Sequence, residues 1–350
     1  MAKRGSDRAR RQPDIGIVPR APGPNVCHLH SLDTETMTPL PTPDAPVVRP
    51  HHSDRLEGTE RRGSTVASLF ALTKPRLSTL SVMTAVVAYA AARPRWDWAE
   101  AFSMVVGTGL AAGGALTFNQ WYERDTDCIM ERTRDRPLPD GQVTPATAFT
   151  LGMALSIGGT LLLAAGVNVL SAVLAVATIV SYVLVYTPLK HRTHWATEVG
   201  AVPGALPPLL GWAAAEGRIS ALGWALFGVL FFWQMPHFFA IGWVYREDYR
   251  AAGFPLLPVI DTTGSRTAAW SVVHACMLLA VSLVPWWMGL TGLVYGVGAV
   301  VSGLFFVALA AGFLRETGAT DRVRAARRLF AGSLIYLPVL FACLLIDRLP

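Results

Sequence analysis

The chain has 350 residues, 52% of them hydrophobic and 15% charged, with a mean hydropathy of +0.39. Soluble domains carry about 25% charged residues, so an ordinary soluble fold is excluded. The net charge of +6 and pI near 9.4 would suit nucleic acid, but the bases sort by loop, as shown below, and no nucleic-acid partner is expected.

Residues 1–63 hold nine of the 24 prolines, eight acids and ten bases. Such a segment buries too little apolar surface to fold alone, and is expected to be a disordered tail. Its basic start has no apolar run behind it, which argues against a secretory signal, and its acids argue against a mitochondrial transit peptide. The pairs His28/His30 and His51/His52 lack carboxylate or cysteine partners at ligand spacing, so no metal site is expected there.

Beyond the tail, no Asp, Glu, Lys or Arg occurs in 77–92, 101–122, 141–189, 199–215, 219–245, 267–314 or 329–346. A bilayer-spanning helix needs about 20 apolar residues. The two longest gaps therefore hold two helices each and the others one apiece. The expected fold is an all-α polytopic bundle of nine transmembrane helices over 64–350, at 77–93, 99–121, 145–165, 168–187, 197–215, 220–243, 268–288, 291–313 and 328–347. With the N-terminus cytoplasmic, the basic residues of the connecting loops divide fourteen inside to four outside, as the positive-inside rule requires. The four cysteines have no CxxC spacing, so no zinc site is indicated. Glycines such as Gly107, Gly109, Gly113 and Gly114 let membrane helices approach closely.

Charge concentrates at the end of the second helix, in NQWYERDTDCIMERTRDRPLP from Asn119 to Pro139. At helical spacing Asn119, Glu123 and Asp127 fall within about 80° of one another. Polar groups aimed back into a membrane are expensive unless used. Carboxylates on one face suit Mg²⁺, which takes one or two of them and completes its shell with substrate phosphates and water. Arg132 and Arg136, also four apart, suit the phosphate oxygens. The connection YTPLKHRTH at 186–194 adds Lys190 and Arg192.

A second group lies on the sixth helix and its exit. Gln234, His237, Ile241, Tyr245 and Asp248 fall on one stripe about 80° wide, presenting an amide, an imidazole, a phenol and a carboxylate to the interior. Pro236 is available to kink this helix. His274 has no polar partners at helical spacing and is read as core packing. Three alternate loops thus bring cations to one side, beside two acidic sites, as a Mg²⁺-bridged diphosphate requires. The apolar, aromatic remainder suits a long lipid tail.

LTKPR (72–76), N-x₃-E-x₃-D-x₂-M-x-RT-x₂-RPL (119–138), YTPLK (186–190), VGAVPGALPPLLGW (199–212) and WQMPHF…Y-x₂-DY-x₂-AG…LPV (233–259) resemble the protoheme IX farnesyltransferase (heme O synthase) branch of the UbiA prenyltransferase superfamily. The match covers about 68–347 and keeps several motifs in order. Two departures stand out: Glu123 replaces the superfamily's usual aspartate, as in the heme branch, and Ala196 stands where an asparagine is usual.

The resemblance implies a Mg²⁺-dependent enzyme of the bacterial inner membrane that moves the farnesyl group of farnesyl diphosphate to a vinyl group of heme b, giving heme O. Asn119, Glu123 and Asp127 would form the first metal–diphosphate motif and Asp248 the second, with Lys190, Arg132 and Arg136 on the diphosphate. Heme A synthase or the terminal-oxidase assembly machinery would be partners. The alternatives are an aromatic-acid polyprenyltransferase of quinone synthesis, a transporter for an anionic substrate and a non-enzymatic heme-binding oxidase assembly factor.

Overall fold

The computed structural model describes residues 65–93 and 95–347. The tail, with its histidine pairs, lies outside the described residues. Twelve helices follow in chain order. They are α1 (Val66–Leu72), α2 (Pro75–Ala92), α3 (Trp98–Asp127), α4 (Pro145–Gly166), α5 (Val169–Leu189), α6 (Ala196–Glu216), α7 (Ala221–Val244), α8 (Arg246–Ala251), α9 (Leu257–Ile260), α10 (Ser265–Trp287), α11 (Leu293–Arg315) and α12 (Ala319–Asp347).

Every charge-free stretch corresponds to a helix. Seven of these, α3, α4, α5, α7, α10, α11 and α12, are long and apolar enough to cross a membrane by length and composition. The other two have visible reasons for lower hydropathy. α2 is rich in Ser and Thr and carries Arg76, whereas α6 holds Glu198, Glu216 and three prolines and is largely buried by its neighbours. A helix shielded from lipid does not need an apolar surface all round.

Three helix starts are fixed by side-chain caps. Asp97 caps α3 by accepting from the Ala99 and Glu100 amides, Thr144 caps α4 ahead of Pro145, and Asn168 caps α5. At the other end, α3 runs past the expected boundary at 121 to Asp127, and α12 begins at Ala319, well before 328. Glu and Arg are good helix formers, so the backbone stays helical where the side chains turn charged.

Lipid tails are as apolar as leucine, so burial between these helices gains little from excluding water; close packing holds them. A Cβ on Gly211 would sit 1.9 Å from the Ala85 carbonyl oxygen, locking α6 on α2, and one on Gly159 would sit 2.6 Å from the Gly107 oxygen, locking α4 on α3. The larger apolar core, with Trp233, Trp243, Phe306, Phe313 and Tyr336, is built mainly from α7, α10, α11 and α12. A second, with Tyr89, Met104, Leu163 and Leu209, is built from α2 to α6. The α3–α4, α5–α6 and α7–α10 connections meet at one end of the bundle.

Candidate active site

The last two turns of α3 set Asn119, Glu123 and Asp127 in one buried column. Buried polar groups persist when they have partners. Asn119 Oδ1 accepts from Lys74 Nζ at 2.8 Å, Glu123 Oε1 lies 3.3 Å from Lys190 Nζ, and Asp127 Oδ2 accepts from Arg136 Nη1 at 2.6 Å. Three oxygens on one helix thus face three cations from three separate segments. The Asn119 amide also donates to Thr187 Oγ1 at 3.3 Å, and Thr187 donates onward to the Tyr182 carbonyl at 2.8 Å. A π-helical stretch over Ser181–Tyr186 of α5 precedes that threonine, and such widened turns recur at functional sites.

Lys74 is the single non-glycine residue at positive φ among the described residues, at 44°. It links α1 to Pro75, the first residue of α2, and Gln120 Nε2 fixes the same junction by donating to the Leu72 carbonyl at 2.7 Å. A non-glycine residue in this region costs of order 1–3 kcal/mol and marks a functional constraint. Burial pulls the Lys74 ammonium down to about 7, Arg136 adds to the effect, and Glu123 and Asp127 oppose it. At Lys190 burial is again the largest influence and works against the charge, but Glu123, Tyr186, Tyr249 and Asp127 together overcome it and the pKa is raised.

Asp248 occupies a neighbouring site. An open cleft of about 340 Å³ is lined by Glu131, Arg132, Val244, Tyr245, Glu247 and Asp248. The Arg132 guanidinium lies 5.8 Å over the Tyr245 ring and 5.9 Å over that of Tyr249. Lys190 Nζ lies 5.8 Å from the centroid of the Tyr249 ring and 4.4 Å from that of Phe254. Tyr249 therefore joins the cleft to the α3 column. Arg192 is exposed on the α5–α6 turn.

The straight stripe expected from Gln234 to Asp248 does not continue. α7 stays helical through Pro236 but ends at Val244, and Tyr245, with ψ of 24°, turns the chain into α8. The apolar run stops there, and the Arg246–Glu247–Asp248 segment is better solvated after a turn than on the extended helix. Gln234 is buried against α6: its amide donates to the Leu230 carbonyl at 3.0 Å, and a Cβ on Gly204 would meet its Oε1 at 2.0 Å. It packs helices together, away from the cations. His237 faces α12, with Nδ1 2.7 Å from Ser333 Oγ. His274 Nδ1 lies 2.8 Å from the Trp270 carbonyl of its own helix, a packed core histidine as expected.

Among the described residues no three carboxylate, imidazole or thiol groups cluster closely enough to hold one metal ion by themselves. The donors nevertheless fit Mg²⁺ that shares its shell with a substrate. Asp127 Oδ1 is buried with no hydrogen-bond partner, a costly state for a carboxylate oxygen unless something binds it. Glu123 stands one turn away, Asp248 lines the adjoining cleft, and Mg²⁺ prefers one or two carboxylates to an all-protein cage.

Lys74, Thr187, Tyr249 and Phe254 complete this end of the bundle; the first three lie inside the motifs LTKPR, YTPLK and Y-x₂-DY but are given no role by the sequence reading, and Phe254 is in none of them. Lys74 had a signal, a lysine directly before proline at the mouth of an apolar helix. Phe254, in the loop after α8, had none, because a loop ring carries no periodicity.

The chain belongs to the UbiA prenyltransferase family, whose profile matches residues 81–334. It is 54% identical over 278 residues to the protoheme IX farnesyltransferase of Opitutus terrae, covering 79% of this chain and 93% of the relative. The solved structure of a digeranylgeranylglyceryl phosphate synthase shares the fold, with a TM-score of 0.68 at 14% identity over 80% of this chain and 97% of its own. A UbiA homolog from Archaeoglobus fulgidus bound to GPP and Mg²⁺ gives a TM-score of 0.58 at 13% identity over 79% of this chain and 99% of its own. The chain is a multi-pass membrane protein with the UbiA fold.

Proposed function

We propose that this enzyme transfers the farnesyl group of farnesyl diphosphate to a vinyl group of heme b, giving heme O. The carrying observation is the 54% identity to a relative named protoheme IX farnesyltransferase across nearly all of that relative. The α3 column supports the same reading, because its carboxylates and cations are what a metal–diphosphate complex needs. The aromatic-acid and assembly-factor readings have no comparable support.

Mg²⁺, as in the A. fulgidus homolog, would be held by Glu123 and Asp127 on one side and Asp248 on the other, supplying positive charge to the leaving group. The protein's own cations do the rest of the electrostatic work, placed where charge develops. Lys74, Lys190, Arg132 and Arg136 hold the diphosphate, with Arg136 able to exchange its carboxylate for a phosphate oxygen through its planar fork. Asn119, fixed by Lys74 and Thr187, keeps the column in register. As the allylic C1–O bond breaks, the electron pair leaves with the diphosphate. The vinyl π pair then bonds to C1, and water adds to the resulting cationic carbon and loses a proton, leaving a hydroxyl.

The basic-residue distribution supports a bacterial inner-membrane orientation with this end, and the tail at 1–63, on the cytoplasmic side. Mass spectrometry of hemes extracted from cells with and without the protein tests the reading. A heme b derivative carrying a hydroxyethylfarnesyl group, formed only with the protein present, is expected. Diphosphate release that does not depend on heme b, with no modified heme, would overturn it.

A further inference from the structure

His237 lies away from the cation layer, held by one hydrogen bond and two aromatic neighbours. Its ring stacks on Trp233, with centroids 5.0 Å apart and planes 26° apart, and the Phe330 ring lies tilted against it at 4.8 Å. Nδ1 lies 2.7 Å from Ser333 Oγ, and that hydroxyl in turn donates to the Phe330 carbonyl at 2.5 Å. Trp233 Nε1 donates to the Ser333 carbonyl at 2.8 Å, so the residue is anchored by main chain as well.

The proton count fixes the tautomer. A carbonyl can only accept, and serine has one hydroxyl proton, so the Ser333 proton goes to Phe330. The Ser333 oxygen must then accept from His237, which puts the ring proton on Nδ1 and leaves the lone pair on Nε2. Nε2 has no hydrogen-bond partner among the described residues, and it is not one of the fully buried unpartnered atoms. A neutral imidazole with one nitrogen tied to an anchored acceptor and the other free is the arrangement that metal-ligating histidines adopt. The exposed face of Phe238 and the rings of Trp233 and Phe330 make the surroundings flat and apolar.

We propose that His237 Nε2 is the axial ligand to the iron of the metalloporphyrin acceptor, and that Ser333 is a positioning residue that holds His237 in the tautomer and orientation this requires. The proposal rests on the function proposed above, since it needs a heme substrate. It assigns to Ser333, on the last helix, a role in acceptor binding that no motif in the sequence marks.

The test is a spectroscopic titration of the full chain in lipid nanodiscs with ferric heme b, with farnesyl transfer followed on the same samples. In the wild type the Soret band and the electron paramagnetic resonance signal report a nitrogen ligand. His237→Ala abolishes that signature, and in His237→Gly added imidazole restores it. Ser333→Ala weakens heme binding by about 10- to 100-fold, the usual effect of removing the partner of a ligating histidine, whereas Ser333→Thr, which keeps the hydroxyl, stays near wild type. Wild-type ligand spectra in His237→Ala, or equal binding in Ser333→Ala, would overturn the inference while the transferase reading stands. Failure of the wild type both to bind heme and to modify it would overturn the transferase reading itself.

Discussion

Replacing Asp127 by Asn keeps the shape of the side chain and removes its charge, and the structure sets the size of the effect. The Asp127 side chain is fully buried and its Arg136 partner is 23% exposed. Taking one member from such a pair costs about 3–5 kcal/mol when the other charge stays buried. Here Arg136 retains some solvent, so the folded state loses only about 1–3 kcal/mol. On the proposed mechanism the leaving diphosphate needs both a metal held by Asp127 and an aligned Arg136 in the transition state, so the larger figure applies to turnover. At about 1.36 kcal/mol per decade, that is a fall of about 100- to several-thousand-fold. The assay is diphosphate release in proteoliposomes supplied with farnesyl diphosphate and heme b across a Mg²⁺ series, with Tm measured on the same preparations. Asp248→Asn serves as the contrast. Asp248 is half-buried in an open cleft, so that variant keeps its Tm while its activity falls in the same way. Activity near wild type at limiting Mg²⁺ in either variant would refute the two-carboxylate metal site.

The remaining expectations concern topology, packing and a buried cap. Deleting residues 1–63 leaves heme modification unchanged, and a cytoplasm-active reporter works at residue 1 but not after Pro350; a periplasm-active reporter that works on the tail would show the opposite orientation. Gly211→Ala drives a Cβ into the Ala85 main chain and lowers stability by about 1–3 kcal/mol, whereas Gly158→Ala, with open space around it, leaves Tm unchanged or raised. Asp261 is buried, which pushes its pKa up, but bonds from the Thr267 amide and hydroxyl, the Gly264 amide and the Thr263 hydroxyl bring it below the ordinary 3.8. Because the folded pKa is the lower one, this stabilisation is complete above pH 4 or so and disappears as pH falls through the folded value. Asp261→Asn therefore lowers Tm at neutral pH, and the gap to wild type closes in acid.

The fold was legible because a membrane imposes its own spacing on charge: each gap between ionisable residues maps to one helix or two, and seven of the nine helices so located are long and apolar enough to cross a membrane. What the gaps could not supply was where helices end. α3 reaches Asp127 because helix propensity outlasts hydropathy, and that overrun is what puts Glu123 and Asp127 in the column facing Lys190 and Arg136. Periodicity found this column because all three residues sit inside one continuous helix. It misjudged the second stripe because angular arithmetic carries no information about a backbone turn, and Tyr245 supplies one between His237 and Asp248. The two halves of that stripe consequently do different work. Asp248 joins the cation layer through the cleft it shares with Arg132, while His237 turns to α12 and to Ser333, a partner 96 residues away in sequence. Contacts of that separation leave no local pattern, and the pairing of Lys74 with Asn119, 45 residues apart, was hidden in the same way. The chemistry-bearing residue types could thus be read from one helix at a time, but the pairings that decide which of them bind metal, phosphate or acceptor arise only when distant helices close against each other.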